Sequence, residues 1–202
     1  MDRIVLWIRG DRRIPVRIYV VSLTSAVARR ARAARQLHGL GFDFEFFDTV
    51  DGSNGAQRHF DAVDASSFRL NARRDLLPGE IGCYASHRSL WKICVRLNEP
   101  IVVLEDDFEL LLIFAEAFSE LESLAKYHDF LRLEPISRRR APLKKFLTPA
   151  YEVLSRENVR VLYLSDVPTC LTAYAINPRG AKRLLDASRC ITAPVDKFLQ
   201  QT

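Results

Sequence analysis

The sequence has no apolar run near the roughly 20 residues that a membrane-spanning helix needs. Even residues 4–8 and 110–115 are only five and six residues long. Met1-Asp2-Arg3 leads into neither the long apolar middle nor the small-residue cleavage site of a signal peptide, so a cytoplasmic location is expected. Cys83, Cys94, Cys170 and Cys190 form no C-x-x-C pair. That argues against a zinc ribbon or a dithiol redox motif and for buried thiols in a reducing compartment. Neither G-x-G-x-x-G nor G-x-x-x-x-G-K-[ST] occurs, which removes the strong dinucleotide and triphosphate-hydrolase signals. No internal repeat or low-complexity segment is present.

What is present suits a folded enzyme-sized unit. The chain has 202 residues and is 48% hydrophobic, enough for one sizeable domain and too apolar for wholesale disorder. The net charge of +5 is clustered, at Arg9, Arg12, Arg13 and Arg17, at Arg29, Arg30, Arg32 and Arg35, and at Arg138, Arg139, Arg140, Lys144 and Lys145. Such clusters attract nucleotide phosphates or an anionic membrane surface. No basic motif is interleaved with aromatics in the RNA-binding manner, so no nucleic-acid partner is expected.

Residues 16–23 read as a first buried strand. Residues 26–38 read as an Ala- and Arg-rich amphipathic helix ended by Gly39 and Gly41, and 42–47 as a second strand. Strand–helix–strand implies a βαβ unit and a parallel sheet. Residues 51–78 have little periodicity and are expected to be a long excursion with a short helix near 62–69. A helix from Pro78, stopped at Asn98, carries Ile81, Tyr84, Ala85, Leu90, Trp91, Cys94 and Val95 at helical spacing. A strand at 101–104 follows, then a mostly helical stretch at 108–126. Further strands are expected at 129–133, 159–164 and 171–176, a basic loop at 138–145, and a helix over 178–187 capped by Asn177 with Pro178 at its first position. The fold class is α/β: a single domain over 16–202, with a mixed, mostly parallel sheet flanked by helices and residues 1–15 as an extension.

The chemistry concentrates at Glu105-Asp106-Asp107, directly after Ile101-Val102-Val103-Leu104. In open α/β sheets ligands bind beyond the carboxyl ends of strands. Three adjacent acids there repel unless a cation joins them. Side chains alternate along a strand, so Glu105 and Asp107 can face one way and Asp106 the other. Two convergent carboxylates suit Mg²⁺ or Mn²⁺ together with substrate phosphates. The competing reading is three acids at the N-terminus of a helix beginning at Phe108. A glycosidase acid pair is disfavoured, because adjacent residues on one strand end do not flank a bond. His87 lies near Cys83, Ser86 and Leu90 on its helix. It is either a core histidine or a hydrogen-bonding partner of a phosphate or sugar hydroxyl.

Several blocks, taken in order, resemble glycosyltransferase family 25. They are Ile18-Tyr19-Val20-Val21-Ser22-Leu23 with Arg29-Arg30; Phe44-Glu45-Phe46-Phe47-Asp48-Thr49-Val50-Asp51-Gly52; Pro78-Gly79-Glu80-Ile81-Gly82-Cys83-Tyr84-Ala85-Ser86-His87; residues 101–107; residues 171–182; and Pro194-Val195-Asp196. The resemblance implies a GT-A-like transferase moving galactose or glucose from UDP-galactose or UDP-glucose to a lipooligosaccharide acceptor, with Mn²⁺ or Mg²⁺ and inversion. It implies a peripheral enzyme at the inner membrane of a Gram-negative bacterium. It puts Glu105 and Asp107 on the metal, and Val20, Ser22, Leu23, Arg29, Glu80, Ser86, His87 and Asp106 on the UDP-sugar side. Asp196 becomes the candidate general base. Lys197 departs from the family, which often has His there. The alternative is a relative that binds nucleotide sugar without turnover.

Overall fold

The computed structural model describes residues 16–133, 151–155, 160–163 and 171–201. The expected extension at 1–15, the basic loop at 138–145 and Cys170 lie outside these residues.

β1 (Arg17–Ser22), α1 (Val27–Gly39) and β2 (Glu45–Asp48) form the expected unit, with β1 and β2 paired in parallel from Tyr19 opposite Glu45 to Ser22 opposite Asp48. α2 (Ala65–Ala72), α3 (Pro78–Leu97), β4 (Ile101–Glu105), α4 (Phe114–Leu124) and β5 (Phe130–Arg132) follow; β3 (Ala62–Val63) precedes α2. The C-terminal part holds β8 (Ala173–Ile176), α5 (Pro178–Ala187), β9 (Cys190–Ile191) and α6 (Val195–Gln201), after a hairpin of β6 (Tyr151–Ser155) and β7 (Arg160–Tyr163). The main sheet has the order β2-β1-β4-β8-β5. β1 and β4 are parallel, and β8 runs against both β4 and β5, so it alone is reversed.

The period of two along each strand divides the core cleanly. Tyr19, Val21, Ile101, Val103, Tyr174 and Ile176 face one cluster with Tyr84, Ala85, Leu90, Trp91 and Cys94 of α3, Leu184 of α5 and Phe198 of α6. Ile18, Val20, Val102, Leu104, Ala173 and Ala175 face the other, with Ala33 and Leu37 of α1 and Phe114, Phe118 and Leu121 of α4. Every β4 residue from Ile101 to Leu104 is buried, as its continuous apolar run requires of a strand covered on both faces.

One expectation is corrected and two are filled in. The stretch after the acids is not helical: α4 begins at Phe114, not Phe108. Gln36 of α1 explains the delay, because its amide accepts from the Leu110 N–H at 2.8 Å and donates to the Phe108 carbonyl at 3.3 Å. Those backbone groups are thereby taken up outside any helix, and buried Phe108 pins the segment. The strand expected over 159–164 is present as β7, paired in a hairpin with β6, which had no clear signal. The 51–78 excursion is held down. β3 pairs in parallel with β9, Asn71 donates to the Thr192 carbonyl at 2.9 Å, and Phe60 and Phe68 enter the core.

The Asn177-Pro178-Arg179-Gly180 block is structural. Asn177 Oδ1 accepts from the Gly180 N–H at 2.8 Å and its Nδ2 donates to the His128 carbonyl at 3.0 Å. A Cβ at Gly180 would overlap the Asp129 carbonyl. Arg179 and Arg183 both pair with Asp129, at 2.5 and 2.9 Å. Burial opposes ionisation of Asp129, but the two guanidinium groups outweigh it and hold the carboxyl below its ordinary value. A depressed folded pKa stabilises the fold above the unfolded value of about 3.9 and stops doing so as pH falls through the folded value. Asp129→Asn should therefore cost about 1 kcal/mol at neutral pH. Urea midpoints of mutant and wild type should converge as pH falls through the depressed folded-state value. A gap that stays constant with pH would rule out this ion-pair contribution.

Candidate active site

β1 and β4 run in the same direction and end side by side, with Val21 opposite Glu105. Beyond their carboxyl ends lies a cleft of about 180 Å³, lined by Val21, Ser22, Leu23, Arg29, Thr49, Cys83, Glu105, Asp106 and Asp107. A wider, shallow hollow of about 360 Å³ lies at the opposite end of β4, around Asn98, Pro100, Lys126, Asn177, Pro178 and Arg179. It holds a helix end and a helix cap, with no cluster of acids, and the acidic cleft is the better candidate.

The three acids have different surroundings. Asp106 is buried; it accepts from the Ser22 hydroxyl at 2.6 Å and pairs with Arg29 at 3.1 Å. Its position opposite Glu105 follows from strand alternation: Ser22 and Asp106 share the α1 face, whereas Glu105 faces α3. Glu105 is half-buried, with Oε1 3.4 Å from His87 Nε2. Asp107 is exposed, and none of the described residues is hydrogen-bonded or ion-paired to it. Because α4 starts seven residues later, none of these acids occupies a helix N-terminus, and the capping reading fails.

Arg29 sits in the first turn of α1, Ser22 ends β1 and Leu23 follows it, so these three meet the acids in one cleft. Val20 does not line it. Val20 is wholly buried one residue before the lining residue Val21, on the face toward α1 and α4.

His87 and Ser86 lie beneath the cleft, both wholly buried. Ser86 accepts from the Val50 N–H at 2.9 Å and donates to the Gly82 carbonyl at 2.7 Å, which anchors the loop that carries Thr49. His87 Nδ1 is 2.9 Å from the Tyr174 hydroxyl, which also accepts from Trp91 Nε1 at 3.1 Å. Burial would lower the imidazole pKa. Tyr174, Cys83 and Glu105 outweigh burial and hold the pKa well above its ordinary value.

Glu80 and Asp196 are not among the cleft-lining residues. Glu80 accepts from the Leu77 N–H at 3.0 Å at the start of α3 and takes a two-pronged contact from Arg74, at 2.5 and 2.6 Å. Asp196 accepts from the Lys197 N–H at 2.8 Å in the first turn of α6, and it acts electrostatically on the same Arg74. Lys197 donates to the Asn71 carbonyl at 2.9 Å, tying α6 to α2.

The sequence reading gave no role to Thr49, Cys83 or Tyr174. Cys83 was detectable, being four residues before His87 and so on the same helical face. The Tyr174 contact joins residues 87 positions apart, and no local pattern shows it.

Residues 16–199 match the family model described as glycosyltransferase family 25 (LPS biosynthesis protein). Procollagen galactosyltransferase 1-B of Xenopus laevis is 30% identical over 193 residues, covering 90% of this chain and 30% of that protein. Procollagen galactosyltransferase 2 of Mus musculus is 31% identical over 189 residues, covering 90% of this chain and 29% of its own length. A glycosyltransferase 25 family member of Drosophila melanogaster is 27% identical over 191 residues, 91% of this chain and 30% of that protein. The chain thus spans about 30% of the length of these curated relatives.

Proposed function

The chain belongs to glycosyltransferase family 25, and from that premise we propose that it transfers a hexose, galactose or glucose, from a UDP-sugar to a lipooligosaccharide acceptor with inversion, in a GT-A-like cleft. The observation that carries this reading is the meeting of Glu105, Asp106 and Asp107 with Ser22, Leu23 and Arg29 at the ends of two parallel strands.

Glu105 and Asp107 offer hard oxygen donors on one cleft, and Asp107 has no competing partner among the described residues, so the pair fits Mn²⁺ or Mg²⁺. Such an ion, when bound, offsets the charge of the departing diphosphate. The remaining work belongs to the chain. Asp106 fixes Arg29 over the cleft and ties the end of β4 to Ser22 of β1. Val21, Ser22, Leu23 and Thr49 supply the wall for the nucleoside. His87 faces Glu105 from below on the α3 side, 3.4 Å away. Asp196 is the candidate base for the acceptor hydroxyl, and Glu80 and Ser86 support the donor side through the start of α3 and the Val50 loop.

The acceptor reading rests on the family's description and on the cleft's surroundings. Leu111 and Leu112 are exposed just beyond the acids, and Arg29, Arg32 and Arg35 are exposed on α1. Exposed leucines beside arginines suit peripheral contact with anionic lipid. No helix among the described residues is long and apolar enough to cross a membrane.

Isothermal titration with UDP, with and without Mn²⁺, tests the metal role. Affinity should rise at least tenfold with Mn²⁺, and Asp107→Ala should abolish the difference. Metal-independent affinity would overturn that role. UDP release from UDP-galactose or UDP-glucose with acceptor present then tests turnover.

A further inference from the structure

Beneath the same cleft, three unlike donors converge. Cys83 and His87 are four apart on α3, so both project from one face of the helix. Glu105 meets them from the end of β4. Cys83 Sγ, a His87 ring nitrogen and a Glu105 oxygen all lie within 4.8 Å of one another, and His87 Nε2 is 3.4 Å from Glu105 Oε1. His87 is wholly buried, yet its Nε2 makes no hydrogen bond. The 3.4 Å approach of Glu105 Oε1 lacks hydrogen-bond geometry. An unpartnered buried nitrogen is costly, roughly 1–3 kcal/mol, and it is aimed at a thiol and a carboxylate.

We propose that Cys83, His87 and Glu105 form a binding site for a thiophilic divalent cation such as Zn²⁺, separate in its donor set from the Glu105–Asp107 oxygen pair. A sulfur, an imidazole nitrogen and one carboxylate are the donors Zn²⁺ favours, whereas Mg²⁺ and Mn²⁺ favour oxygen alone. Tetrahedral Zn²⁺ spaces its ligand atoms roughly 3.3–3.8 Å apart, given bond lengths of about 2.0–2.3 Å. The His87–Glu105 separation already lies near the lower limit, and the half-buried Cys83 side chain needs only a small movement. Three protein ligands leave one position open toward the cleft. Behind the ring, Tyr174 Oη can accept from His87 Nδ1–H, which leaves Nε2 free to ligate and fixes the ring plane. Binding expels two protons to solvent, one from the Cys83 thiol and one from the His87 ring, which its surroundings otherwise hold protonated. Glu105 is shared with the proposed donor clamp, so, on that reading of function, a bound Zn²⁺ takes a carboxylate away from the sugar-diphosphate side.

Co²⁺ titration of the full chain tests the site without donor or acceptor, so its outcome is independent of the proposed transfer reaction. Co²⁺ held by oxygens alone absorbs weakly in the visible, whereas a thiolate ligand adds an intense near-ultraviolet charge-transfer band. One equivalent of Co²⁺ should raise that band, and Zn²⁺ should bleach it. Cys83→Ser, with its fold checked by circular dichroism, should remove the band. Glu105→Gln should keep it but weaken affinity at least tenfold. In the wild type, Zn²⁺ should also slow alkylation of Cys83 at least tenfold. Cys94 is a poor rival, because burial pushes its thiol up to about 12. The proposal is overturned if the wild type gives no band, or if folded Cys83→Ser gives it undiminished.

Discussion

Asp107→Asn is expected to lower sugar transfer by about 10²–10³-fold, or roughly 2.7–4 kcal/mol of transition-state stabilisation, and to leave the unfolding midpoint in place. The two halves rest on different observations. Asp107 is exposed, and none of the described residues donates to it, so removing its charge breaks no native contact. The neighbouring carboxylates of Glu105 and Asp106 repel it, which if anything makes its loss mildly stabilising. Surface changes of this kind stay within about 0.5 kcal/mol. A carboxylate unpaired among the described residues and beside two others is accounted for by what it faces in the cleft. Asparagine keeps the size and one oxygen but loses the charge that a divalent ion and diphosphate require. Steady-state UDP release and urea denaturation on the same preparation check both halves. A loss of activity under threefold would refute the clamp. A large drop in stability would show that Asp107 has a structural role instead.

How much of this was legible depended on how locally each signal was written. The four-residue run at Ile101–Leu104 announced a doubly covered strand, and both faces of β4 are covered. Alternation at the strand end correctly set Asp106 opposite Glu105, because a period of two survives to the last paired residue. The boundary after the acids was misread. Residues 108–113 contain good helix formers, but Gln36, more than 70 positions earlier, captures their backbone groups. Propensity is a weak prior against such a tertiary contact. The 51–78 segment was opaque for a related reason: its order comes from pairing with residues 189–192 and from buried Phe60 and Phe68, neither of which makes a periodic pattern. Among site residues, those on strand ends and the first turn of α1 were gathered into the cleft. Glu80 and Ser86, read from a motif, have structural partners of their own, Arg74 and Leu77 for one and Val50 and Gly82 for the other. A motif marks positions that matter without saying whether they matter to substrate or to backbone.

Gly82 is the sharpest instance of a motif position that matters to backbone, and Gly82→Ala is expected to destabilise the fold by about 2 kcal/mol. Helix propensity predicts the opposite sign, since alanine in a helix interior gains roughly 1 kcal/mol over glycine. The surroundings decide the contest. A Cβ at Gly82 would overlap the Val50 carbonyl oxygen and stand 2.8 Å from the Gly52 nitrogen and 3.1 Å from its Cα. All three are backbone atoms, which cannot rotate aside. Gly52 in turn meets the Pro78 carbonyl where its own Cβ would be. Two glycines, one from each of two sequence blocks, therefore let α3 lie directly on the 50–52 backbone. Overpacking of this kind costs about 1–3 kcal/mol, and losing the Ser86–Val50 hydrogen bond adds about 1 kcal/mol. Together these exceed the propensity gain. Gly79, in the same helix, has no atom within 4 Å of an added Cβ, so Gly79→Ala isolates propensity from sterics. Guanidinium midpoints should fall for Gly82→Ala and hold or rise for Gly79→Ala. Equal midpoints would refute the backbone contact. Because Val50 adjoins the cleft residue Thr49, a Gly82→Ala protein that still folds should also bind UDP more weakly, although residue 82 does not line the cleft.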